Sequence, residues 1–283
     1  MTRKRIWTRE EIEGIKYYYV EKGYTLDKIR KIYKTKPTKI SEILKSEGVQ
    51  INMAKVNRLF RHDYFETIDT EAKAYYLGLI VADGCVVKSK DTRGDQISIE
   101  LTDKEILEEL QKETRSGGKL YRNKREDREN ATYTWTVRSN KMAKDLEKYG
   151  VIPNKTYLTD KLFYDLREDL KRHYIRGIVD GDGSIYWSND TWNLNVTSKS
   201  ENFLEELQDV FMEMTGKENR KKITDYKGVH KLVYVSGDVS KLCYVLYKDS
   251  NFYIPRKKEL AKTVVDDIVL PIGKLIDEKQ FTK

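Results

Sequence analysis

Tyr76-Leu77-Gly78-Leu79-Ile80-Val81-Ala82-Asp83-Gly84 and, 99 residues further on, Ile175-Arg176-Gly177-Ile178-Val179-Asp180-Gly181-Asp182-Gly183 are two versions of one pattern. Each is an apolar run with a glycine five residues before an aspartate and another glycine directly after it. A mid-helix glycine costs about 1 kcal/mol relative to alanine, so Gly78 and Gly177 need a compensation. Close approach of two helix backbones supplies one, because no Cβ stands between them. Gly84 and Gly183 then end the helices and leave Asp83 and Asp182 projecting from two adjacent ends. With the last carbonyls, those of Ala82 and Gly181, the two carboxylates make an all-oxygen site that a hard cation neutralises. Mg2+ is the expected occupant, and Mn2+ its substitute.

The downstream sequence repeats as well. After Gly84 the chain alternates from Cys85 to Ser89, turns around Asp91 to Asp95, and alternates again with Ile97, Ile99 and Leu101 opposite Gln96, Ser98 and Glu100. A helix is predicted from Asp103 to Thr114, strands from Lys119 to Lys124 and Thr132 to Arg138, and a helix from Asn140 to Lys148 that stops at Gly150. The second half runs through strands Ser184 to Ser188 and Thr191 to Thr197 about the turn Asn189-Asp190. It continues with helix Glu201 to Met214, strands Asn219 to Thr224 and Lys231 to Val235, and helix Val239 to Tyr247. The predicted class is α+β, with two pseudo-symmetric αββαββα repeats.

On these residues the chain resembles the LAGLIDADG homing endonucleases in their single-chain, two-repeat form, over about residues 70 to 268. The resemblance implies a pseudo-twofold axis between the motif helices and two four-stranded sheets whose concave faces lie along double-stranded DNA. It makes Asp83 and Asp182 the metal-holding catalytic acids of a site-specific, divalent-metal-dependent DNA endonuclease that works in intron homing as a monomer. It also implies a lysine near each active site. Lys155, in Pro153-Asn154-Lys155, matches by its offset from the second motif. Lys257, in Pro255-Arg256-Lys257 and 102 residues later, matches by internal symmetry, with Lys258 a near competitor. Two other activities use this fold: maturases, which bind intron RNA, and sporulation-type transcription regulators, which add a helix-turn-helix and lose the acids. Both aspartates stand here, which argues against the regulator. Val81 occupies the sixth motif place where the second copy has Asp180, so the halves are unequal.

The polar sides of the predicted strands are the candidate base-reading groups: Gln96 and Ser98 in the first half, and Ser184, Tyr186, Ser188, Asn193, Asn195 and Thr197 in the second. Ile185, Trp187, Trp192, Leu194 and Val196 are the matching core side. Lys88, Arg122, Lys124, Arg138, Arg220 and Lys222 are the cations expected at phosphates.

Ahead of the repeats, Thr8 reads as the N-cap of a helix carrying Ile12, Ile15 and Tyr19, succeeded by helices from Thr25 to Tyr33 and Thr38 to Glu47. Three short helices with a tight turn before the last resemble a helix-turn-helix module, whose exposed third helix presents Lys36, Lys39, Ser41 and Lys45. Residues 1–70 hold 16 basic and 10 acidic residues, and so carry +6 of the chain's +8. That imbalance favours a polyanionic partner. The organisation expected is a module over 1–51, a linker over 52–70, repeats over 71–160 and 161–268, and a tail over 269–283.

Other chemistries are poorly served. Cys85 and Cys243 make neither a disulfide framework nor a zinc pattern, and His62, His173 and His230 are dispersed. An EF-hand reading from Asp180 fails, because its sixth and twelfth places hold Ile185 and Thr191. The uncharged run Ala74 to Ala82 is far short of the roughly 20 residues of a membrane span. With no apolar stretch after Met1-Thr2-Arg3-Lys4-Arg5, a cytoplasmic location is expected.

Overall fold

The computed structural model describes residues 5–49, 51, 59–89, 94–124, 130–152 and 166–269. Two compact units make up the chain: Met1–Arg61 with Gln111–Lys119, and His62–Leu110 with Leu120–Lys283.

In the first unit, α1 (Arg9–Val20), α2 (Leu26–Ile32) and α3 (Pro37–Ser46) enclose Ile15, Tyr19, Ile29, Ile40, Ile43 and Leu44. Local chemistry sets the helix starts. Thr8 and Glu11 form a reciprocal capping box on α1, Thr25 accepts from the Lys28 amide, and Pro37 supplies a preset φ at the first position of α3.

The second unit is α+β. The first repeat runs α4 (Glu71–Asp83), β1 (Gly84–Val87), β2 (Gln96–Leu101), α5 (Lys104–Thr114, of which residues from Gln111 on are counted with the first unit), β3 (Tyr121–Asn123), β4 (Thr132–Arg138) and α6 (Asn140–Glu147). The second runs α7 (Glu168–Asp182), β5 (Gly183–Ser188), β6 (Thr191–Ser198), α8 (Glu201–Thr215), β7 (Thr224–Tyr226), β8 (Val229–Val235) and α9 (Gly237–Tyr247), after which comes α10 (Pro255–Val269). The sheets are antiparallel, with orders β1-β2-β4-β3 and β5-β6-β8-β7. Two αββαββα repeats are therefore present. One face of each sheet is core: Ile97, Ile99, Trp135 and Val137 in the first, Ile185, Leu194, Val196, Leu232 and Tyr234 in the second.

Two expectations are corrected. Strand β7 begins at Thr224 and does not occupy Asn219 to Thr224, because Arg220 pairs with Asp209 and the Lys221 amide donates to Gln208, both on α8. Trp187 is 56% exposed and not in the core. Trp192 takes the buried place, its indole N–H donating to Asp267 of α10 at 2.9 Å, and Trp187 leans edge-on against it. Helix α10 packs inward through Ala261 and Val264.

Candidate active site

The motif helices α4 and α7 touch backbone to backbone. A Cβ added at Gly78 would lie 2.0 Å from the Tyr174 carbonyl oxygen, and one at Gly177 would lie 2.1 Å from that of Tyr75. Around this crossing Ala74, Tyr75, Leu77, Tyr174 and Ile178 are buried, so apolar area fixes the pair once the glycines let it form. The contact persists to the helix ends, where a Cβ on Gly181 would meet Ala82 Cβ at 2.3 Å and Asp83 Oδ2 at 3.0 Å. The Asp83 carboxylate therefore lies against the backbone of the other motif helix, one residue before Asp182. Asp83 is exposed and Asp182 half-buried, so both ends open to solvent.

A cleft of about 410 Å³ opens beside Asp83 and draws on both repeats. Glu100, Asp103 and Thr132 line it from the first repeat, Gly181 and Arg256 from the second. Arg256 donates from Nε and Nη2 to Asp103, each at 3.1 Å, and Thr132 donates to Glu100 at 2.5 Å. These four side chains were not among the residues expected from the sequence. Glu100 was legible as an outward position at the end of β2, but the Asp103–Arg256 pair joins positions 153 residues apart.

Asp180 does something different from Asp182. It is 1% exposed and accepts from the Tyr75 hydroxyl (2.8 Å), the Tyr247 hydroxyl (2.6 Å) and the Ile254 amide (2.8 Å). Burial raises its pKa, against the lowering effect of these donors and of Lys257. Lys257 is also buried, and its ammonium donates to the carbonyls of Val179 (2.8 Å), Asp180 (2.6 Å) and Gly183 (2.6 Å). All three protons of the group are thereby spent on the C-terminal turn of α7, where a cation also meets the negative end of the helix dipole. Burial lowers its pKa to about 8, helped by Arg256 and opposed by Asp180 and Asp83. On this geometry Lys257 caps the helix that ends in Asp182. Lys258 is turned elsewhere, donating to the Ser250 carbonyl at 3.0 Å. Lys155 lies outside the described residues.

Among the described residues no group of three His, Cys, Asp or Glu side chains is arranged to hold a metal. A cation here would take Asp83 and Asp182, the carbonyls of Ala82 and Gly181, and further oxygens from phosphate and water. Few carboxylates, no nitrogen or sulfur donor and substrate oxygens are what Mg2+ accepts, so the residues present fit a hard divalent ion. The Gly181 carbonyl is not one of the three that Lys257 occupies.

A LAGLIDADG-like domain model matches residues 70–150 and 169–243. The chain belongs to this family. Among solved structures it is similar to the homing endonuclease I-WcaI bound to its DNA recognition sequence, at 15% identity and a TM-score of 0.53 over 77% of this chain and 96% of that one. I-AabMI, a LAGLIDADG meganuclease bound to uncleaved DNA, gives 15%, 0.48, 70% and 91% for the same quantities. I-DmoI in complex with DNA and Mn gives 18%, 0.40, 64% and 98%. No curated protein matches the sequence.

In this LAGLIDADG chain the registers decide which candidate groups share the outer sheet faces. Gln96 pairs with Arg138 and Ser98 with Thr136 across the first sheet, and Ser184 pairs with Asn195 and Tyr186 with Asn193 across the second. Lys88, Gln96, Ser98, Arg138, Ser184, Tyr186, Ser188, Asn195 and Thr197 are all exposed or half-buried. Some are already engaged: Arg138 donates to Gln96 at 2.9 Å, and Lys88 pairs with Asp95 at 3.1 Å. Two expectations fail on the geometry. Arg122 pairs with Tyr133, whose face is that of Trp135 and Leu101, so it points to the helix side of the sheet. Asn193 is 9% exposed and its amide donates to the carbonyls of Ser188 and Thr191, closing the β5–β6 turn. Lys124, Arg220 and Lys222 are exposed outside the strands. In the first unit Lys36 stands at the N-cap position of α3 without a side-chain hydrogen bond to the helix, Lys39 pairs with Glu42 at 2.8 Å, Ser41 is half-buried and Lys45 is exposed.

Proposed function

We propose that the protein is a site-specific double-strand DNA endonuclease that hydrolyses phosphodiesters with a divalent cation, Mg2+ or Mn2+. The observation that carries this reading is the juxtaposition of Asp83 and Asp182 at the ends of two helices packed through Gly78 and Gly177. A divalent ion held by Asp83 and Asp182 would supply an acidified water and neutralise charge on the leaving oxygen. The protein's own part is placement. Each aspartate is succeeded at once by a strand, β1 or β5, so a duplex lying on the outer sheet faces has its backbone next to the acids. Gln96, Ser98, Arg138, Ser184, Tyr186, Asn195 and Thr197 are the groups available to base edges there. Arg256, held by Asp103 at the rim of the cleft, presents a cation toward a phosphate approaching Asp83. One chain supplies both acids, so a monomer suffices for both strands. Lys36, Lys39, Ser41 and Lys45 on the three-helix unit add phosphate contacts that set affinity and not chemistry.

The test is Asp83→Asn and Asp182→Asn, assayed on a duplex selected by binding from a randomised pool. Each variant should lose double-strand cleavage while binding stays within about tenfold, because the metal site is lost but the sheet faces are not. Undiminished cleavage by either variant refutes the assignment.

A further inference from the structure

The two sheets have matching registers, which allows their outer faces to be compared place by place. Gly84 pairs with Ile99 as Gly183 pairs with Val196, and the third strand continues in step. Gln96–Arg138 then corresponds to Asn193–Val235, Ser98–Thr136 to Asn195–Val233, and Glu100–Thr134 to Thr197–Lys231. The edge strands extend the match, with Asn123–Thr132 corresponding to Tyr226–Val229.

Along β4 the outward column is Thr132, Thr134, Thr136 and Arg138, whereas along β8 it is Val229, Lys231, Val233 and Val235. At two of these four places, Thr132 against Val229 and Thr136 against Val233, threonine in one sheet stands where the other has valine, and the two share a shape and a preference for strands, so neither packing nor propensity explains those exchanges. The difference between them is the hydroxyl. On β4 and its neighbours the polar groups are used: Thr132 donates to Glu100, Asn123 to Thr134 and Arg138 to Gln96. On β8, Val229 is 38% and Val235 42% exposed, and Tyr226 beside Val229 is 73% exposed. An outward apolar column of this kind marks a surface that meets something apolar.

We propose that β8 reads its half of the DNA target through the C5-methyl groups of thymine, while the first sheet reads the other half by hydrogen bonds. This rests on the endonuclease reading above. A duplex is the occupant because β5, the far edge of the same sheet, begins directly after Asp182, and because Lys231 stands within the column and Asn195 and Thr197 lie beside it on β6. A major groove offers methyl groups at thymine alone among the four bases, amid hydrogen-bonding edges, which matches valines set among asparagine and threonine.

The experiment uses the full chain without divalent cation and duplexes recovered by binding from a randomised pool. In the recovered site, thymines are replaced by deoxyuridine in one half at a time, which removes methyls and leaves base pairing intact. Affinity should fall about fourfold per contacted methyl in one half and stay within twofold in the other. Val233→Thr with Val235→Thr, nearly isosteric and on the surface, each trade one methyl for a hydroxyl and should shrink the uracil penalty in that half without lowering thermal stability. The inference is overturned if neither half is enriched in thymine, if both halves respond alike, or if the valine variants leave the penalty unchanged. Those three outcomes leave the endonuclease reading standing. A chain that captures no duplex at all overturns both.

Discussion

Alanine at Gly78 or Gly177 tests the packing on which the whole site depends. In an isolated helix either substitution would stabilise by about 1 kcal/mol, since glycine is the poorer helix former. Here the new Cβ would stand 2.0 Å from a carbonyl oxygen at Gly78 and 2.1 Å at Gly177, more than 1 Å inside normal contact. Both obstacles are backbone, so no rotamer change relieves them and the helices must separate along their buried contact. Overpacking of a core costs about 1 to 3 kcal/mol, and a rigid clash belongs at the upper end or above it. Net destabilisation of about 2 kcal/mol or more is expected for each variant, a fall in Tm of roughly 4 to 8 °C for a unit of this size. Gly237→Ala is the control, because a Cβ there meets nothing within 4 Å. Urea titration with far-UV circular dichroism gives the midpoints. A Gly78→Ala or Gly177→Ala midpoint at or above that of the native chain would refute the close-packed crossing, and with it the juxtaposition of Asp83 and Asp182.

Two further predictions concern buried ionisable groups. Lys257→Met should cost about 3 to 5 kcal/mol of stability, because it orphans three carbonyls and removes a cation that acts on the buried Asp180; native stability with cleavage slowed a hundredfold would instead put the lysine's charge to work on the phosphate. His173, 6% exposed, accepts from Arg176 through Nδ1 at 2.9 Å, and burial with the Arg176 charge lowers its pKa from an ordinary 6.5 to about 4. Arg172 adds to that lowering, while Glu71 and Asp169 oppose it. The unfolded chain binds this proton below about pH 6.5 and the folded chain only below about 4, so stability rises with pH across that window, by roughly 3 kcal/mol in all. His173→Asn, which keeps an acceptor but cannot titrate, should flatten that part of the stability profile; an unchanged slope would assign it to other groups.

Period and punctuation make most of this architecture readable in the sequence. Strands with residues alternating between core and solvent, as at Ile97, Ile99 and Leu101, reveal themselves by a two-residue period, and the paired glycines and aspartates reveal the helix crossing. The failures have specific causes. A strand of three residues such as β3 is too short to show which face Arg122 takes, because that is set by pairing with Tyr133. Asn193 alternates correctly, yet the turn at Asn189 and Asp190, both at positive φ, captures its amide. Asp180 looks in the sequence like a third acid of the motif, and its partners stand 105, 67 and 74 residues away. Lys257 and Lys258 are adjacent on one helix, and only the direction of α10 decides which of them reaches α7.

Asp180 explains why the two halves of this protein are not interchangeable. At the same motif place Val81 is an ordinary buried side chain, whereas Asp180 gathers a hydroxyl from α4, a hydroxyl from α9 and the Ile254 amide just ahead of α10. A carboxylate buried this deeply is tolerable only while its donors stay in place, so each element that supplies one is held to the second motif helix. Lys257 closes the arrangement from α10 by capping the same helix. The first turn of α10 is thereby fixed, and with it Arg256, whose guanidinium crosses to Asp103 at the start of α5 in the first repeat. The cleft beside Asp83 is consequently bordered by a cation that the second repeat positions through Asp180. Replacing Val81 by aspartate would not reproduce this in the first half, because the effect lies in the donors that converge on Asp180 and not in the carboxylate alone.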